Sequence, residues 1–185
     1  MSAKAQAWQL DFDVFLKAPS SIIGPGSEIR LPDVAGEVHY EAELALVIGR
    51  GGRDIAESEA LAHVLGYTIL LDVTLRGDGD RSRRKSYDGF TPIGPWLTTA
   101  DDVPDWRELG IRLWLNGEQR QSVRAGEMTV SVPAIVAYAS RVMTLRPGDV
   151  IATGAPPGVG RIVPGDRVRA EIGGLGSLEV TVASG

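Results

Sequence analysis

The sequence predicts an α+β fold of mixed, β-rich type with few helices. Short apolar runs recur along the chain between clusters of turn residues. There are 23 glycines and 11 prolines, so the turns are frequent and the strands short. Only Ser58–Leu65 and Ser131–Met143 carry helical spacing. At 185 residues the chain can build one full core and is short for two, so residues 1–185 are read as a single domain.

Taken in order, Asp13–Leu16 reads as a short strand and Ala18–Glu28 as a loop rich in Pro, Ser and Gly. Tyr40–Ile48 alternates and then turns continuously apolar, as a strand entering a core does. Ser58–Leu65 is expected to be helical and to stop at Gly66, a residue suited to the position after a helix. Tyr67–Val73 reads as a buried strand, and the polar, basic Asp78–Ser86 as a mobile loop. Asn116-Gly117, between Ile111–Leu115 and Arg120–Val123, is the residue pair that favours a tight hairpin. Ser131 can cap the helix that follows, Pro133 suits its first turn, and Ile135, Val136, Ala139 and Val142 form an apolar stripe. Val150–Thr153, Arg167–Ile172 and Leu178–Val182 are late strands.

Composition narrows the function. Hydrophobic residues make up 43% and charged residues 23%, which fits a folded globular chain. A net charge of −5 gives no global electrostatic case for nucleic acid or an anionic membrane. The absence of cysteine excludes disulfides, iron–sulfur clusters and thiol nucleophiles. Two histidines cannot build a His-rich zinc site. The first ten residues hold no apolar core of signal-peptide length, and no run is long enough to span a bilayer, so a cytoplasmic protein is expected.

The chemistry centres on Tyr40-Glu41-Ala42-Glu43-Leu44. Residues two apart on a strand share a face, so Glu41 and Glu43 should project side by side, with His39 beside them. Such a pair also occurs on solvated strand faces. Here Ala45–Ile48 is wholly apolar, which places the carboxylates at the mouth of a buried strand. Asp72 ends another apolar run and is costly to bury unpaired; it either caps the strand end or joins the glutamates. Three carboxylates with open positions suit a hard cation, Mg²⁺ or Mn²⁺. Arg76, Arg81, Arg83, Arg84 and Lys85 follow. Most belong to a solvated loop, but Arg76 and Lys85 are assigned to draw an anionic substrate to the site.

Five segments together resemble the fumarylacetoacetate hydrolase family: LKAPSSIIGPG (16–26), YEAELALVIGR (40–50), GYTILLDVT (66–74), KSYDGFTPIGPWL (85–97) and LRPGDVIATGAPPGVG (145–160). The resemblance implies a β-rich α+β fold, a homodimer, and a Mg²⁺ or Mn²⁺ site acting on 2-oxo acids or 1,3-dicarbonyl compounds, often in aromatic catabolism. It places the metal ligands on Glu41, Glu43 and Asp72, and the substrate-binding cations on Arg76 and Lys85. Thr153-Gly154 matches the start of the family's Thr-Gly-Thr-Pro loop, a substrate-binding element. The chain also departs from the pattern. Its second loop threonine is Ala155, and His39 and Gly79 stand where an aspartate and a glutamine are usual. No histidine precedes His39 to make the His-x-x-Glu pair that activates water, so an N-terminal lid is expected to be short or absent.

Three functions are weighed. The first is an isomerase or decarboxylase working through a metal-stabilised enolate, with Lys85 or His39 moving the proton. The second is a C–C hydrolase of acylpyruvate or fumarylacetoacetate type. The third is a non-catalytic metal-binding homologue. In the first, Lys85 is expected to meet the substrate rather than the ion.

Overall fold

In the computed structural model, which describes residues 13–185, thirteen short strands and two α-helices follow one another along the chain. The segment read above for a targeting signal lies outside the described residues. The strands are β1 (Ile22–Ile23), β2 (Glu28–Leu31), β3 (Val38–Tyr40), β4 (Ala42–Ile48), β5 (Val64–Leu71), β6 (Thr74–Leu75), β7 (Thr91–Thr99), β8 (Gly110–Leu115), β9 (Glu118–Arg124), β10 (Val150–Ala152), β11 (Gly160–Ile162), β12 (Arg167–Ile172) and β13 (Gly176–Ser184). The α-helices are α1 (Arg81–Lys85) and α2 (Val132–Val142), and 3-10 helices link several elements.

One five-stranded sheet has the order β1-β7-β5-β4-β10 and the other β2-β13-β12-β8-β9; a small sheet, β11-β3-β6, lies apart from both. β1 runs parallel to β7 and β2 parallel to β13, while β4, β5 and β7 are antiparallel neighbours. The expected mixed, β-rich α+β class is therefore the observed one. Leu44, Leu46 and Ile48 on β4 and Ile69 and Leu71 on β5 join Ile111, Leu113, Val168, Ile172 and Val180 of the second large sheet in one apolar cluster. The period of two then sends the alternate positions, Glu43 and Ala45 on β4 and Leu70 on β5, to the opposite face. That division sets a buried polar site against the back of the core.

The hairpin at Asn116-Gly117 forms as expected, with both residues at positive φ, 53° and 86°. Helix α2 also forms as expected: Ser131 Oγ accepts from Ala134 N at 3.3 Å, and Ile135, Val136 and Ala139 are buried. Val142, the last member of the expected stripe, is 45% exposed. Trp96 is exposed on β7, whereas Trp114 lies under the guanidinium of Arg169 at 5.1 Å from its ring centre.

Four expectations are corrected. Residues 13–16 are not a strand; Leu16 N and Ala18 N donate instead to the hydroxyls of Ser82 and Ser86, which ties this segment across α1. Glu57–His63 is a 3-10 helix, and the chain enters β5 already at Val64. Gly66 is thus a mid-strand residue, not a helix stop. A Cβ there would meet the Thr98 carbonyl oxygen at 2.1 Å, so only glycine allows β5 and β7 to approach. Asp78–Ser86 contains α1, capped by the Asp80 carboxylate accepting from Arg83 N at 2.9 Å. Finally, Tyr40–Ile48 is two strands. Glu41 separates β3 from β4 because its carbonyl accepts from Asp72 N while Ala42 N donates to the Gln121 side chain, and the chain changes sheets there. No helix among the described residues is long and apolar enough to cross a membrane.

Candidate metal centre

The change of sheets at Glu41 brings three acids together. Glu41 precedes β4, Glu43 lies on it, and Asp72 follows the antiparallel β5, which pairs Ala42 with Leu71 and Glu43 with Leu70. One carboxylate oxygen of each lies within 4.8 Å of the others, and all three residues are buried. Like charges this close and this dry need a cation or a proton.

Three cations meet them. Arg76 Nη2 donates to Glu41 Oε1 at 2.8 Å. Lys85 Nζ bridges two of the acids, at 2.8 Å from Glu41 Oε2 and 2.5 Å from Asp72 Oδ2. Lys17 Nζ donates to Asp72 Oδ1 at 2.5 Å and to the Phe90 carbonyl at 2.8 Å. Helix α1 turns Lys85 inward while Arg81 and Arg83 are exposed, and the Phe15 ring covers the ammonium at 5.1 Å. Among the described residues no cation hydrogen-bonds Glu43; the Gly154 N–H donates to its Oε2 at 2.7 Å.

Residue by residue, the structure gathers Glu41, Glu43, Asp72, Arg76, Lys85 and Gly154 in one place. Thr153 lies beside them, but its hydroxyl is committed to the Leu44 carbonyl at 2.9 Å. His39 does not join. With Glu41 between the strands, the two-residue alternation does not carry through, and His39 Nε2 sits 3.1 Å from Glu37 Oε2. Lys85 touches the candidate ligands themselves. Two residues were not foreseen. Lys17 belongs to the LKAPSS segment but carries no periodicity that marks it. Gln121 sits on β9, and its buried amide accepts from Ala42 N and donates to the Pro156 carbonyl, fastening the acidic strand to the loop after β10.

The electrostatics follow from burial. Desolvation, then the Asp72 carboxylate, pushes the Glu43 carboxyl up to about 8. Burial lowers Lys17 from its ordinary value, partly offset by Asp72. A raised Glu43 means that the metal-free folded chain holds a proton the unfolded chain releases above about 4.5. This contribution to stability is fully present below that value and is lost as pH rises through about 8. Chemical denaturation of metal-free protein from pH 5 to 8 should therefore show a decline that Glu43→Gln lacks. Parallel curves for the two proteins would contradict the assignment.

The donor set itself fits a divalent ion: all-oxygen, buried and clustered. Fold and site together define a β-rich protein with a buried carboxylate triad, flanked by lysine and arginine, suited to a hard cation and a small anion. Comparison with known proteins gives the family. The family model described as fumarylacetoacetate (FAA) hydrolase C-terminal matches residues 1–183, and the chain belongs to that family. It is 42% identical over 170 residues to the 4-hydroxyphenylacetate degradation bifunctional isomerase/decarboxylase of Salmonella dublin, covering 89% of this chain and 40% of that protein. The crystal structure of maleylpyruvate hydrolase from Sphingobium sp. SYK-6 in complex with manganese(II) and pyruvate superposes with a TM-score of 0.88 at 46% identity, covering 92% of this chain and 64% of that one. Fumarylpyruvate hydrolase from Pseudomonas aeruginosa, in complex with Mn²⁺ and pyruvate, gives 0.87 at 37% identity, covering 92% and 78%. The chain thus spans less than two thirds of the first two of these relatives.

Proposed function

We propose that the chain is a divalent-metal-dependent enzyme acting on 2-oxo acid or 1,3-dicarbonyl compounds by isomerisation or decarboxylation, with Glu41, Glu43 and Asp72 as metal ligands. The observation that carries this reading is the buried triad balanced by three cations. A Mg²⁺ or Mn²⁺ ion held by these three carboxylates would supply Lewis-acid stabilisation of negative charge developing on the substrate.

The chain's own groups do the rest. Arg76, with 37% of its side chain exposed, is placed to receive the substrate carboxylate from solvent. Lys85 is a buried ammonium within the site and is the group assigned to carry the proton at C3. Lys17 holds Asp72 from the other side, keeping that carboxylate oriented. The Gly154 N–H orients Glu43. The Phe15 ring over Lys85 keeps bulk water from the ammonium.

A second reading, C–C hydrolysis of an acylpyruvate, is favoured by one observation: both hydrolases compared above were crystallised with pyruvate, the head fragment of such a substrate. Proton exchange at C3 of pyruvate in D₂O separates the readings. The proposal expects metal-dependent exchange and no cleavage of acetylpyruvate. Cleavage would establish the second reading. Neither exchange nor cleavage with saturating Mg²⁺ or Mn²⁺ would leave a non-catalytic metal-binding protein.

A further inference from the structure

A cavity of about 280 Å³ opens beside the candidate metal centre. One wall is the loop after β10, Thr153 to Pro157, whose Gly154 N–H holds Glu43. The rest comes from the β8–β9 sheet, the segment before α2 and α2 itself, with Ile111, Val123, Met128 and Ile135 among the side chains. The cavity therefore adjoins the metal centre at Gly154, which lines the cavity and holds Glu43 through its N–H. Its volume exceeds the ~150 Å³ that suffices for a benzene ring.

Its chemistry is one-sided. Glu127 is the one charged side chain among the described residues that line it, and no lysine or arginine faces in. Glu127 is anchored, since its Oε1 accepts from Arg124 N at 3.1 Å. Ala155 on the same wall brings a methyl group and no side-chain hydrogen-bond donor. Arg76, Lys85 and Lys17 are gathered on the carboxylate triad instead.

We propose that this cavity binds the tail of the substrate and selects an uncharged, apolar acyl or alkyl group over one ending in a carboxylate. The inference rests on the proposed 2-oxo acid function, which puts the charged head at the triad. From there the substrate chain runs past Gly154 into the cavity. Each methylene buried among Ile111, Val123, Met128 and Ile135 strengthens binding by about fourfold. A terminal carboxylate meets no cation there and faces Glu127, so the pocket discriminates by repulsion as well as by fit.

Three ligands that resist C–C hydrolysis test this: pyruvate, 2-oxooctanoate and its ω-carboxylate counterpart 2-oxo-octanedioate. Each is titrated into the Mg²⁺-loaded protein labelled at its methionine methyl groups. The chain has three methionines, and Met128→Leu assigns the resonance in the cavity. The expected result is that pyruvate binds without moving the Met128 methyl. 2-Oxooctanoate should move it and bind at least tenfold tighter, while the dianion binds no better than pyruvate. Glu127→Gln should narrow the gap between the two long ligands several-fold. Pyruvate binding with a Met128 signal that ignores the tail, or a dianion that binds as tightly as 2-oxooctanoate, overturns the cavity assignment and leaves the 2-oxo acid reading standing. Absence of pyruvate binding overturns that reading and the cavity proposal with it.

Discussion

Lys85→Met should lower turnover of a 2-oxo acid by about 10²–10⁴-fold, the range for loss of a positioned proton carrier. The same substitution should unsettle the metal-free protein. Lys85 is 6% exposed and bridges Glu41 and Asp72, so methionine fills its volume but leaves two buried carboxylates with one cation each, Arg76 and Lys17. Breaking a buried ionic network by removing one partner costs about 3 kcal/mol or more. Divalent metal should restore most of that stability, and the variant should bind the ion more tightly, because a competing ammonium is gone. Denaturation with and without Mg²⁺ measures the first effect, and calorimetric titration the second. A variant equally stable without metal, with wild-type affinity for the ion, would show that Lys85 is not the counter-charge of the triad.

Glu43→Gln should act in the opposite sense. The side chain keeps its size, and its amide oxygen can still accept from the Gly154 N–H. What is lost is a charge that no hydrogen-bonded cation among the described residues compensates. Metal affinity should therefore fall by at least ~100-fold, more than outer-sphere substitutions around such sites cause. Activity should fall with it and recover only partly at high metal concentration. The metal-free variant should be more stable than wild type near pH 8, where wild-type Glu43 loses its proton. Undiminished affinity for Mg²⁺ and Mn²⁺ would remove Glu43 from the ligand set.

The acids were legible because the strand period of two and the apolar run behind them are local signals. Asp72 was legible because it ends such a run. Lys17 and Gln121 were not, since each meets its partner only after the chain has folded back, across 55 and 79 residues. Local pattern also misled. His39 shares the two-residue spacing of the glutamates, but spacing is a guide to side only while one strand continues, and hydrogen bonds from Asp72 and to Gln121 end that strand at Glu41. Ser58–Leu65 has helical spacing and a glycine after it, yet Gly66 serves the close approach of β5 to the Thr98 carbonyl. The basic composition of Asp78–Ser86 suggested a solvated loop; most of it is solvated, but a short capped helix is what turns Lys85, alone of its residues, into the interior.

The claim on which the rest depends is that Glu41, Glu43 and Asp72 share one divalent ion. Crystals soaked in millimolar Mn²⁺ with pyruvate, recorded at a wavelength where manganese scatters anomalously, test it most directly. The account predicts a single strong anomalous peak in contact with one oxygen from each of the three carboxylates, with the pyruvate carboxylate toward Arg76. Manganese bound elsewhere at full occupancy, with the three carboxylates still held by Lys17, Arg76 and Lys85, would contradict it.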